Sequence, residues 1–399
     1  MNALLMAVLI QAADYQVGAA KENITPTEPI LLAGWKGRNQ PIGDVAQQLF
    51  ARAVALRDKA GKTALVVSVD CIGFGAGYSD IIAKRVESLG VPRERFALCS
   101  THCHFSPHVA GWTNYKWPAA NAEQRAVIDR YTLLVSDRIV RACAAAMKGL
   151  APARLSFGRG TATFARNRRN ETVVDHDLPV LRMQAPDDKV RALVFAYACH
   201  CVTADRSKIS GDWAGLAAEL LEKEHPGAVA VSLIGCAGDQ DSQQSTQQCA
   251  DAVLKGATAV KDFRPIRGAL HGKFVRLELP YQQAGVKGFS YPVQTLGFGE
   301  DLTLIFLAGE VTVDYSLRLK RELDREKIVV VAYANEVAGY IPSLRVLNAG
   351  GYEAEGANVG AYGHPSKFGQ TVEEIIIAQV RSLVSPKSPR TLKKQGGVR

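Results

Sequence analysis

Three histidines crowd into seven residues of this chain: His102, His104 and His108, in the stretch CSTHCHFSPH (99–108). The whole sequence has only eight. A fourth, His200, follows the apolar run LVFAYAC. Glu310 follows TLIFLAG, and Asp239 and Asp241 follow AVSLIGCAG. Two kinds of donor, imidazole and carboxylate, thus stand at the ends of separate apolar runs. Brought together, they match the donor set of a catalytic zinc, which takes three protein ligands and leaves a position for water or substrate. If residues 102–104 stay extended, His102 and His104 share one face and Cys103 points away. Both then reach a metal, or one binds it while the other works just outside. By the same alternation Cys199 and Cys201 point away from His200, which argues against a thiolate-ligated site.

Each of these residues also has a plainer reading. A lone histidine after a buried strand is usually a satisfied core residue. His108 reads as a loop residue and not a ligand. Glu310 can simply charge the first turn of a following helix, and Asp239 can cap one. The segment GCAGDQDS (235–242) lacks the Lys and Ser/Thr of a phosphate-binding loop. On residue types and spacing alone, the zinc reading and the plainer ones remain open.

The elements that must position these residues alternate along the chain. Apolar, β-branched runs at TALVVSVD (63–70), RFALCS (95–100), ALVFAYACH (192–200), AVAVSLIG (228–235), LTLIFLAG (302–309) and KIVVVAYAN (327–335) predict strands. Amphipathic stretches over 78–90, 123–149, 212–225, 246–260 and 313–324 predict helices. LHGKFVRLELPYQ (270–282) alternates as an antiparallel edge does. The expected fold is α/β, with mixed sheets covered by helices on both faces and the metal site at the carboxyl ends of the strands, where such folds bind ligands.

The chain has 399 residues, 47% of them hydrophobic and 22% charged, ordinary values for a globular protein with a sizeable core. Its net charge of +9 is uneven. The last fourteen residues, PKSPRTLKKQGGVR, hold five basic groups and no acid, so +4 belongs to the rest. No basic patch interleaved with aromatics suggests nucleic acid. No run of about 18 apolar residues suggests a transmembrane helix. LLMAVLI (4–10) followed by QAAD resembles the apolar core and cleavage site of a signal peptide, without its positive start. The expected organisation is a signal peptide or apolar arm over 1–13, one hydrolase domain over 14–385 and a disordered basic tail over 386–399. A cleaved leader implies a periplasmic or secreted protein, and its absence a cytoplasmic one. The eight cysteines form no CxxC pair and read as small buried residues.

Several short motifs, in a shared order, resemble the N-terminal catalytic region of the neutral/alkaline non-lysosomal ceramidases. VGAAKENITP (17–26) is similar to the family's opening Gly-Ala-Ala-Lys…Asp-Ile-Thr-Pro, and LFARAVAL (49–56) and VVSVD (66–70) follow in order. STHCHFSP (100–107) resembles its Gly-Thr-His-Thr-His segment, and ARNRRN (165–170) falls at its Asn-Arg motif. ACHCVT (198–203) sits at its His-Pro-Thr, and ISGDWAG (209–215) at its Ile-Ser-Gly-Asp. LAGEVTV (307–313), YANEVAGYIPS (333–343) and YEAEGA (352–357) resemble later segments. There are departures. Phe105-Ser106-Pro107-His108 replaces the family's Ser-Gly-Pro-Gly-Gly, and Gly238-Asp239-Gln240-Asp241-Ser242-Gln243 replaces Gly-Asp-Val-Ser-Pro-Asn. The chain stops before the β-sandwich domain that follows in the ceramidases. These departures weaken ceramide as the substrate more than they weaken zinc hydrolysis.

The resemblance implies a zinc-dependent amidohydrolase acting on a lipid or small-molecule amide, within sphingolipid metabolism. Carried over motif by motif, it makes His102, His200, Glu310 and Tyr340 the metal ligands, and puts His104, Arg168 and Tyr352 at the reaction centre. Bound zinc would activate water. His104 would shuttle the proton, and Arg168 and Tyr352 would hold the oxyanion. The family's serine in Gly-Asp-Val-Ser falls at Asp241 here, with Ser242 one residue on and turned the other way. Direct attack by water is therefore expected, with Asp241 orienting that water or a polar group of the substrate. Two rivals stand: another zinc hydrolase, metallo-β-lactamase-like, or a non-catalytic zinc-binding protein whose shell Tyr340 closes. The former typically carries His-x-His-x-Asp-His, and position 106 here is Ser.

Overall fold

A computed structural model describes residues 13–35, 37–111 and 120–384. The expected arm over 1–13, except its last residue, and the expected tail over 386–399 lie outside the described residues. Twelve principal strands form two mixed sheets. The larger contains β1 (Tyr15–Asn23), β2 (Phe50–Asp58), β3 (Thr63–Val69), β4 (Phe96–Ser100), β5 (Ala151–Thr161), β6 (Asp177–Gln184), β7 (Val190–Tyr197) and β8 (Val229–Ile234). Their order is β4-β3-β2-β1-β5-β6-β7-β8, with the short strand Arg264–Ile266 added beside β5. Only β3–β4 and β7–β8 pair in parallel. The smaller sheet runs β9 (Leu270–Leu279), β10 (Phe289–Phe298), β11 (Leu302–Leu307) and β12 (Ile328–Val331). β9 pairs antiparallel with β10, as its alternating pattern predicts.

The longer helices are α1 (Ala76–Glu87), α2 (Ala122–Lys148), α3 (Asp212–Glu224), α4 (Thr246–Thr258), α5 (Asp314–Glu322) and α6 (Val372–Val384). All but α6 fall where amphipathic spacing predicts them. Capping boxes start α2 (Asn121 with Gln124) and α4 (Ser245 with Gln248). Burial in β11 and β12 shows how the layers stack. Leu302, Leu304, Phe306, Val329 and Val331 join Val66, Val194 and Val231 of the larger sheet in one cluster. Their neighbours Ile305, Leu307, Ile328 and Val330 join residues of α5 and α6 instead. This is the period-two alternation of strands buried on both faces. The expected α/β fold of mixed sheets covered by helices is thus present, in four layers. Helices cover only the outer faces, and the inner faces pack on each other. A fully buried Leu or Val stabilises the fold by about 1.5–3 kcal/mol, so this inner layer holds the two sheets in register.

The larger sheet curls. The Ser68 hydroxyl in β3 donates to the Ser232 carbonyl in β8 at 2.5 Å, although five strands stand between them in the pairing order. Sheet twist accumulates over that many strands. Curling brings the carboxyl ends of β4 and β7 together, and the smaller sheet supplies the end of β11 beside them. The segment after β12 ties the sheets. Ala332 N–H donates to Ile234, Ala334 N–H to Leu307 and Asn335 N–H to Leu98, while Ser100 N–H donates to the Tyr333 carbonyl. No described helix is long and apolar enough to cross a membrane. All eight cysteines are buried and unbridged, as small apolar residues.

Candidate metal centre

His102 leaves β4 with a left-handed backbone (φ +53°), so the 102–104 segment is not extended as the sequence suggests. Its side chain still meets that of His104, their rings 4.9 Å apart, because the turn at His102 replaces strand geometry. Cys103 points away as expected, its thiol donating to the Ser210 carbonyl. One ring nitrogen each from His102, His104 and His200 lies within 4.8 Å of the others. His108 is buried but outside this group.

Backbone carbonyls fix the ring tautomers. His102 Nδ1 faces the Ile72 carbonyl at 2.6 Å, and His200 Nδ1 faces Ala237 at 2.7 Å and Gln240 at 3.0 Å. A carbonyl only accepts, so each Nδ1 carries the proton. In a neutral ring Nε2 then has only a lone pair. Yet both Nε2 atoms face Glu310 Oε2, at 2.9 Å from His200 and 3.2 Å from His102. Lone pairs set against a carboxylate repel unless a proton or a cation lies between them. All three residues are buried. Burial opposes a charged Glu310; a proton on the facing Nε2 atoms outweighs burial and holds the carboxyl well below its usual range. Burial first, and then Arg168, keeps His200 below the usual histidine range. A divalent cation satisfies this donor set: two oriented imidazoles and one carboxylate, within zinc's preferred N and O chemistry.

Other groups surround the three. Tyr362, unmarked by any sequence pattern, donates to Glu310 Oε1 at 2.5 Å and fixes the carboxylate from its far side. Tyr340 is buried, and its hydroxyl accepts from Arg168 at 2.8 Å. Arg168 also donates to Glu353, which accepts from Arg169 too. Tyr352 is 56% exposed and lies against the Tyr340 ring and the Arg168 guanidinium, at the open side of the site. His104 keeps both ring nitrogens without a partner among the described residues. Burial, reinforced by His102 and His200, holds it far below the usual histidine range, so it is a neutral base. Gly34 allows this approach. At φ +87° it has no side chain, and a Cβ there would stand 2.4 Å from His104 Nδ1. Trp35 then packs its ring edge-on to His104, under the Arg206 guanidinium.

Asp241 meets a different environment from the one expected. In the short ladder of Gln240–Asp241 with Arg166–Asn167, its carboxylate pairs with Arg166 at 2.9 Å. It is Gln240, through its carbonyl, that reaches His200. No contact joins Asp241 to the histidines among the described residues. Asp239 is not an N-cap, since Ser245 starts α4; its Oδ1 accepts from Val313 N–H, just before α5. Ser242 Oγ accepts from Gln244 N–H and the Cys249 thiol, with no base beside it. Behind Tyr362 opens a cavity of about 610 Å³, lined by Tyr281, Phe289, Tyr362 and His364, with Lys287 at its edge.

The family model for the N-terminal region of neutral/alkaline non-lysosomal ceramidases matches residues 15–256, more than half of the chain. No curated protein matches. A solved neutral ceramidase from Pseudomonas aeruginosa superposes with a TM-score of 0.76 at 17% identity, over 94% of this chain and 76% of its own. A ceramidase complexed with C2 superposes equally well at 16% identity, over the same shares. At these identities the superpositions establish a shared fold.

Proposed function

Because the chain belongs to the neutral/alkaline non-lysosomal ceramidase family, we propose that it is a zinc-dependent hydrolase cleaving the amide bond of an N-acyl, ceramide-like lipid. The observation that carries the metal is the convergence of two proton-oriented imidazoles on one buried carboxylate oxygen. In this reading His102, His200, Glu310 and Tyr340 would hold the ion, which would supply a water of lowered pKa and a Lewis acid for the amide carbonyl. His104, neutral and unpartnered, takes the proton from the attacking water and returns it to the leaving amine. Arg168, clamped by Glu353, and Tyr352 at the mouth hold the carbonyl oxygen as it gains charge. The aromatic cavity behind Tyr362 takes an apolar tail of the substrate. We read both sheets and the site between them as one hydrolase domain.

The test is metal analysis followed by a substrate screen. We expect about one zinc per chain, as one catalytic site binds one ion, lost in His200→Ala. N-acyl sphingosines and simpler N-acyl amines should turn over faster than esters or β-lactams. Full metal content in His200→Ala refutes the ligand set, and preferred ester or β-lactam turnover refutes the substrate class.

A further inference from the structure

Tyr333 stands in the centre and has no role in the reading above. Its ring lies 4.7 Å from that of His102, tilted by 31°, and 5.9 Å from that of His200, edge-on. The residue is 1% exposed, and its hydroxyl has no hydrogen-bond partner among the described residues. Its backbone is left-handed, with φ +52°, a conformation a bulky side chain avoids. The strain is held from outside. Its N–H donates to Gly309, its carbonyl accepts from Ser100, and its neighbours Ala332 and Ala334 are bonded to Ile234 and Leu307. Strands of both sheets therefore lock Tyr333 in place. Packing alone does not account for the hydroxyl. A phenylalanine would fill the same volume and leave no buried donor unpaired. Strain and an orphaned donor at one residue, beside the converging histidines, mark a group arranged for something that binds there.

Resting on the amidase reading, we propose that Tyr333 is a further catalytic residue, whose phenol donates a hydrogen bond to the amide carbonyl oxygen as it becomes an oxyanion. No proton is transferred and no bond to Tyr333 forms. The donor is simply in place before the charge develops, as transition-state stabilisation requires. Tyr333 adds a donor beside the histidines, on the buried side, where Arg168 and Tyr352 approach from the mouth.

The test is Tyr333→Phe, read five ways. Loss of one such donor lowers kcat by about 100- to 1000-fold. KM should move less than about threefold, since the donor acts in the transition state and not on bound substrate. Affinity for an N-acyl phosphonamidate, a tetrahedral oxyanion mimic, should fall in parallel with kcat when measured by calorimetry. Zinc content should stay at the wild-type level, and the melting temperature should stay level or rise. Unchanged kcat and phosphonamidate affinity would overturn the proposal. So would loss of zinc or a lowered melting temperature, which would mark a ligand or a structural residue. If the wild type loads zinc yet hydrolyses no amide, the function reading falls and this proposal with it. An active wild type with an equally active variant overturns the proposal alone.

Discussion

Glu310→Gln should change the stability of this protein in opposite directions with and without metal. The substitution keeps the shape of the side chain and removes its charge. In the metal-free protein each Nδ1 is held by a backbone carbonyl, so Glu310 Oε2 faces the Nε2 lone pairs of His200 and His102 at 2.9 and 3.2 Å. A glutamine amide placed there turns those contacts into N–H···N hydrogen bonds, while its oxygen still accepts from Tyr362. Each such bond contributes about 0.5–1.5 kcal/mol, so the metal-free variant gains about 1–3 kcal/mol. With zinc the order reverses. Free metal at about 1000 times its dissociation constant stabilises the wild type by about 4 kcal/mol. The variant, without its anionic ligand, gains little. Thermal melts of both proteins, with chelator and with zinc, should therefore cross. In a domain of this size about 1 kcal/mol moves the midpoint by a few degrees. If Glu310→Gln is less stable than the wild type in chelator, the lone-pair argument is wrong. If it gains as much from zinc as the wild type, Glu310 is not a ligand.

Three further outcomes are expected. Ser242→Ala should retain most amidase activity, because Ser242 has no adjacent base and its hydroxyl bonds Gln244 and the Cys249 thiol; an acyl group trapped on Ser242 and seen by mass spectrometry would refute attack by water. Glu353→Gln should lower kcat by roughly tenfold with less effect on KM, since it loosens the clamp that holds Arg168 on Tyr340, and steady-state kinetics test this. Burial pushes the Asp212 carboxyl up to about 6 against the donors Thr203 and Trp213. The folded chain thus holds this proton more tightly than the unfolded one. Stability from this group is then fully present below about pH 4 and falls as pH rises to about 6, by roughly 3 kcal/mol. Denaturant melts of wild type and Asp212→Asn across that window should differ by this slope, and parallel curves would refute it.

Local pattern was enough to find the elements and most of the donors. Amphipathic spacing in 212–225 and 246–260, and the apolar runs ending at His102, His200 and Glu310, are local properties, and the helices and strands form where they lie. Cysteine burial was legible for the same reason, since nothing paired the eight along the chain. Other features depend on residues far apart in sequence. Curling of the larger sheet brings β4 to β7, and packing of the inner faces sets the end of β11 between them, so only the tertiary structure joins His102, His200 and Glu310. The left-handed turn at His102 overrode the strand geometry expected for 102–104, yet kept both rings together. The pairing of Asp241 with Arg166 was not legible along the chain, because its register is a cross-strand fact. Tyr362 carries no motif, and Tyr333 opens the segment YANEVAGYIPS with nothing along the chain to single it out. Backbone bonds between the two sheets set Tyr333 beside the histidines, while a turn closed on Ala357 carries Tyr362 to the carboxylate, and a linear sequence holds no local trace of either meeting.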